Sequence, residues 1–250
     1  MALASVIKQP VVPGLHAAPN LADLKQSAIL YNQLPSDNVQ PPLLPGHSQK
    51  IRDILVRHNV QDKIGIHLIH GHLKIPGDQV MLGHYFENPT GCWTKPVPIA
   101  DVDTSNIHGH IFKLSKDGTL VAYEYREGPP TNISEIDLSF LEEVFRYLLD
   151  HDLTDIFGLQ ALQHDPSSPM IELVLGSTGT VMLNESQAQY GKIYRTTGWC
   201  VGHGREGEGL EEGEKHAETT KGTHRVFVDE ISLSDIGDLR SFLKKEEIIL

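Results

Sequence analysis

The sequence predicts an α+β fold, built on an antiparallel β-meander or curved, barrel-like sheet with flanking helices. Three observations carry this expectation. Hydrophobicity alternates with a period of two from Ile64 onward, in runs separated by turn residues. Helical periodicity is confined to a few short stretches. Strands come in two blocks with a helix between them, without the regular alternation that builds a parallel doubly wound sheet.

The elements follow in chain order. Residues 1–46 carry Pro10, Pro13, Pro19, Pro35, Pro41, Pro42 and Pro45, and this density of fixed φ angles and missing N–H donors favours an extended N-terminal arm. Within the arm only Leu21 to Leu34 has the pattern of a helix. At 250 residues the chain fits one domain, expected over residues 47–250. Ser48 can cap its first helix, which runs to about Asn59 with Ile51, Ile54, Leu55 and His58 on one face.

The meander comprises Ile64 to Lys74, Gln79 to Glu87, Asn106 to Leu114 and Thr119 to Glu127, with turns at Pro76-Gly77-Asp78 and Lys116-Asp117-Gly118. Ser134 followed by Asp137 resembles a capping box, and Ile136, Phe140, Leu141, Val144, Phe145 and Leu148 give the next helix a broad apolar face. Further strands are expected at Ile156 to Leu162, Met170 to Leu175, Thr180 to Leu183, Thr196 to Val201 and Thr223 to Val228. Residues 202–222 are rich in Gly and Glu and nearly devoid of apolar side chains, which reads as a flexible loop. Ser234 can cap a final helix with Ile236, Leu239 and Leu243 facing inward.

Bulk properties exclude several classes. Thirty-three acidic against 21 basic residues give a formal charge of -12, which repels a phosphate backbone, so no nucleic-acid partner is expected. No apolar run approaches the roughly 20 residues that cross a bilayer, so no membrane span is expected. The N-terminus lacks a basic segment ahead of an apolar run, and the two cysteines, Cys92 and Cys200, are too few for a disulfide scaffold. These features point to the cytoplasm; no protein partner is identified.

The chemically suggestive feature is a repeated tripeptide, His70-Gly71-His72 and His108-Gly109-His110. Each is followed by a turn holding Asp78 or Asp117, then by an apolar strand that carries a titratable residue, His84 in the first copy and Glu124 in the second. On a strand, residues i and i+2 share a face, so each tripeptide offers two imidazoles in one direction. Neutral imidazoles suit a divalent transition metal. The candidate ligands are therefore His70, His72, His108 and His110, converging from both hairpins, with His84 and Glu124 as candidate catalytic residues. Cys200, His203, His216 and His224 match no common zinc spacing and are left outside this site.

Two resemblances accompany this reading. His-x-His with a third histidine and a glutamate resembles the metal site of cupins, although no Glu follows His72 at the cupin distance and the second cupin motif is missing. Asn106 to Phe112 and Tyr123 to Gly128 are similar to uncharacterised proteins of filamentous fungi, a resemblance that implies no activity. Three functions remain open at this point. One is a metal-dependent oxidoreductase, hydrolase or lyase acting on a small molecule, for which secondary metabolism would be a fitting context. Another is a metal-free isomerase, dehydratase or cyclase using histidine as acid or base. The last is a non-catalytic interaction protein.

Overall fold

The computed structural model describes residues 11–42, 45–129, 135–162, 168–201, 210–226 and 233–250. Helices α1 (Leu21–Tyr31) and α2 (Pro45–Arg57) precede strands β1 (Ile64–Leu68), β2 (Gln79–Phe86), β3 (Gly91–Pro98), β4 (Ile107–Leu114) and β5 (Leu120–Glu127). Helix α3 (Leu138–Asp150) follows, then β6 (Phe157–Ala161), β7 (Met170–Val174), β8 (Thr180–Asn184), β9 (Lys192–Val201), β10 (Leu210–Glu218) and α4 (Ile236–Lys245). The strands close into a barrel in the order β1-β6-β4-β5-β2-β3-β8-β7-β10-β9, and β9 returns to β1 through Ile66 opposite Trp199 and His67 opposite Gly198.

The α+β class and the barrel-like sheet are as the sequence predicts, but the sheet is mixed. β2 runs parallel to β5, and β10 parallel to β7. Short turns make neighbours antiparallel; strands brought together by closure are under no such constraint. β3 had no counterpart in the sequence reading, and its Pro96 and Pro98 are residues that sheets seldom hold. They are tolerated because β8 pairs only with Gly91 to Thr94, so the proline end of β3 needs no donor on that side.

The barrel is apolar outside and polar inside, and the alternation along single strands shows why. On β5, Tyr123 packs against Tyr31 of α1 with ring centroids 6.4 Å apart, while Glu124 and Arg126 take the opposite face. On β7 and β8, Ile171, Leu173, Val181 and Leu183 join Leu239, Phe242 and Leu243 of α4 in one buried cluster, which turns Glu172 and Met182 inward. A larger cluster beneath α1, α2 and α3 includes Tyr31, Ile51, Leu55, Phe140, Phe145 and Phe112. The helices thus cover the outer face of the sheet, and the lumen is left for polar side chains.

Two expectations about irregular segments are corrected. The proline-rich stretch is not an extended arm from residue 11 onward, since Val12, Leu15, Leu24, Ala28, Tyr31 and Leu34 are buried in the core. Residues 210–218, expected within a flexible loop, form β10. Its exposed face is polar because it meets water, and its partners β9 and β7 supply the backbone hydrogen bonds that burial of apolar side chains does not. Residues 202–209 and the cap Ser134 lie outside the described residues, as do residues 227 and 228 of the strand expected at Thr223 to Val228; of that strand the described part makes one isolated bridge, between Arg225 and Val174. Helix α3 is capped by Asp137, whose side chain accepts from Ser139 N, and α4 by Asp235 rather than Ser234.

Candidate metal centre

The first His-Gly-His lies just past β1 in irregular backbone, and the proline-rich segment holds it there. Gly71 N donates to Pro35 O at 2.8 Å, and Asn32 exchanges two hydrogen bonds with the backbone of Ile75, at 2.8 and 2.9 Å. Gln40 Nε2 donates to Ile69 O. Arg195 of β9 fixes the far end of the clamp, donating to Gln40 O at 2.7 Å and to Pro41 O at 2.8 Å. Gly71 is packed tightly enough that a Cβ there would lie 3.2 Å from Leu34 Cβ.

This clamp directs His70 and His72 toward β7 and β10, where Glu172 and His216 face each other in the ladder. The four buried side chains form a closed ring of donor atoms. His70 Nε2 is 3.1 Å from His72 Nε2 and 3.1 Å from His216 Nε2. The carboxylate of Glu172 completes the ring, 3.0 Å from His216 Nε2 and 3.3 Å from His72 Nε2. All four ligand atoms lie within 4.8 Å of one another. Bonds of about 2.0–2.1 Å to a central ion place neighbouring ligand atoms roughly 3.0–3.4 Å apart, which is the spacing of this ring.

The far side of two imidazoles sets their tautomer. His70 Nδ1 donates to Leu68 O at 2.7 Å, and His216 Nδ1 donates to Asp37 Oδ2 at 2.9 Å, beside the Tyr194 hydroxyl at 3.0 Å from the same nitrogen. With the proton on Nδ1, each ring presents the Nε2 lone pair to the centre, the form that ligates a metal. His67 stacks on His70 with centroids 5.1 Å apart, and His224 stacks on His216 at 4.5 Å.

The same donor atoms also bind protons. Burial opposes charge on His216, but hydrogen bonds to Asp37 and Glu172 outweigh it and hold the pKa up to about 9. Burial and the neighbouring histidines keep His70 well below the usual imidazole range. Glu172 stays well below the usual carboxylate range because His72 and His216 outweigh its desolvation. A metal must therefore displace a proton from His216 at neutral pH. The sign follows: affinity is weakest at low pH and rises about tenfold per pH unit up to about 9, then levels off. Calorimetric titration of zinc in buffers of different ionisation enthalpy should show about one proton released per ion at pH 7 and almost none at pH 10; equal release at both would contradict the proton inventory.

The other sequence candidates are placed elsewhere. His108 and His110 belong to β4, which is separated from β1 by β6, and they do not join the ring. His108 Nδ1 donates to Gly128 O at 2.8 Å. His110 sits at a β-bulge against Gln160, with 3.4 Å between Nε2 atoms. His84 and Glu124, matched in the repeat, occupy opposite faces of the sheet: His84 pairs with Glu127 at 2.9 Å on the outside, whereas Glu124 lies deep in the wall, where burial pushes its carboxyl up to about 7.

Sequence reasoning missed Glu172, His216 and Asp37. A lone acid between Ile171 and Leu173 was a readable signal, because a buried apolar strand rarely carries an unpaired carboxylate. His216 was set aside because its spacing to Cys200, His203 and His224 matches no common zinc pattern, and the polar stretch around it reads as a loop. Comparison with protein-family models, curated proteins and solved structures finds no match. Among the described residues, no helix is long and apolar enough to cross a membrane. What the geometry gives is a buried group of three histidines and one glutamate in a barrel, able to hold a metal ion.

Proposed function

We propose that the protein is a metal-dependent enzyme acting on a small organic molecule, with a divalent transition ion held by His70, His72, His216 and Glu172. One observation carries this reading: three imidazole Nε2 atoms and a carboxylate point at one buried spot, while hydrogen bonds to Leu68 O and Asp37 hold the outer nitrogens of His70 and His216. A purely structural role does not require three histidines to face one another, since neutral rings so placed compete for the same protons. Such an ion, when bound, supplies Lewis acidity toward an oxygen of the substrate or a water.

The protein's own residues do the rest. Asp37 orients His216 and raises its basicity, Tyr194 donates to the same Asp37 oxygen at 3.0 Å, and the 32–41 clamp fixes the approach of His70 and His72. Glu124, raised by burial, senses the charge of Arg126 first and then those of Glu172 and His67, and a carboxyl with a pKa of about 7 can both give and take a proton at neutral pH.

The positioning role of Asp37 is tested by Asp37→Asn, which keeps the shape and removes the charge. Metal affinity should fall about 10–100-fold, the usual cost of losing a partner behind a ligating histidine. Competition with a chromogenic chelator measures it; an affinity unchanged from wild type would remove Asp37 from the site.

A further inference from the structure

The lumen contains a cation whose purpose the metal ring does not explain. Arg126 on β5 is 2 % exposed; the charges of Glu124 and Glu214 reach it across the lumen, but among the described residues no carboxylate makes a close ion pair with it. Its Nη1 donates to Thr94 Oγ1 at 2.5 Å, and Nη2 makes only a long contact, 3.9 Å, to Met182 Sδ. Tyr85 is hydrogen-bonded to it, with its ring centroid 5.9 Å away. Nε has no partner. A buried guanidinium with an unused donor is costly unless an anion completes it. Room has been made for this side chain: a Cβ at Gly83, opposite Arg126 in the ladder, would lie 2.0 Å from Nη1.

Arg126 borders a narrow cavity of about 70 Å³, whose walls include Met170, Met182, Trp199, Gln160 and Glu214. Its polar wall is already committed on one side, where Gln160 Nε2 donates to Glu214 and His67 Nδ1 lies 3.4 Å from the same carboxylate. Arg126 is thus the anion-seeking group, and the methionines and Trp199 supply an apolar lining. The cavity also adjoins the metal ring. Glu214 and Met170 form one rung of the β10–β7 ladder, and His216 and Glu172 form the rung two residues along, about 7 Å away.

We infer that this cavity is the substrate pocket and that its substrate is a short-chain organic acid, bound as the carboxylate by Arg126, with its apolar body on Met170, Met182 and Trp199 and its other end toward the metal ligands. The assignment of the pocket to catalysis rests on the metal-centre reading; the carboxylate site itself does not. Arg126 is a binding residue here, offering the planar fork that matches a carboxylate.

The test uses propionate and butyrate, with propionamide and butyramide as neutral controls, titrated by calorimetry into the full chain both metal-loaded and chelator-treated. The acids should bind both forms and the amides should not. Arg126→Met should weaken butyrate about 30-fold or more, Arg126→Lys should retain part of the affinity, and metal content should be unchanged in both variants. Equal binding of acid and amide, no binding of either acid, or wild-type affinity in Arg126→Met would each overturn the inference. Because the comparison of acid with amide uses the unaltered chain, it stands even if a variant does not fold. Carboxylate binding that survives in a protein shown to take up no metal would keep the site and reject the metal reading.

Discussion

Replacing His216 by alanine should abolish metal uptake at micromolar free ion. His216 is the ligand that meets two carboxylates, since its Nε2 lies 3.0 Å from Glu172, as well as 3.1 Å from His70, while Nδ1 meets Asp37 at 2.9 Å. Losing it removes a ligand and also leaves the buried Glu172 and the half-buried Asp37 without the cation that compensates them. The loss in affinity should exceed the 10–100-fold expected of Asp37→Asn, because a direct ligand contributes more than the group behind it. His110→Ala serves as the control. It removes an equally buried histidine of the second His-Gly-His and should leave metal content at the wild-type level, since that ring is engaged with Gln160. Equal loss from both variants would mean that the two hairpins do share one centre.

A second large effect is expected from Phe242→Ala. The ring is 4 % exposed and belongs to the cluster through which α4 covers β7 and β8. Truncating a buried phenylalanine costs about 3–5 kcal/mol, through lost transfer free energy and the cavity left behind. Urea unfolding of the metal-free protein measures this directly, and a cost below about 1 kcal/mol would show that α4 does not pack as described. The same variant should loosen the metal site. Ile171 and Leu173 face α4 from either side of Glu172, so the helix fixes the strand that carries the carboxylate.

The stability of the metal-free protein should depend on pH through the same residues. His216 is raised in the fold, so its contribution is fully present below its unfolded value near 6.5 and is lost as pH rises through about 9. Glu172 and Asp37 are depressed, so theirs is present above the unfolded carboxylate range and is lost as pH falls below it. Binding of an ion, which replaces the proton on His216, relieves the alkaline loss.

How much of this was legible in the sequence depends on whether the information was local. The period-two runs, the turn residues and the apolar face of α3 are local patterns, and they predicted most strands and the helix within a few residues of where they lie; the strand expected over Ile64 to Lys74 instead ends at Leu68. His70 and His72 were legible as a candidate pair from their spacing, although they converge from irregular backbone past β1 and not by alternation along a strand. Their partners were not, because ligand convergence is decided by strand order. The two His-Gly-His copies look equivalent in the chain, yet β6 intervenes between β1 and β4, and the ring is completed instead by β7 and β10. β10 itself was unreadable by hydrophobic pattern. One face meets water and the other turns His216 into a polar lumen, so neither carries the apolar signal by which strands are recognised. The clamp was misread for a related reason: its prolines exclude regular structure, but they do not exclude packing against the barrel.

The most direct test of the account is metal analysis of the untagged protein by inductively coupled plasma mass spectrometry, after dialysis against a slight excess of zinc, iron, manganese, nickel or copper and removal of the unbound ion. The account predicts close to one equivalent of at least one of these metals in the wild type and less than about a tenth of an equivalent in His216→Ala. Less than about a tenth of an equivalent of every metal in the wild type would contradict it.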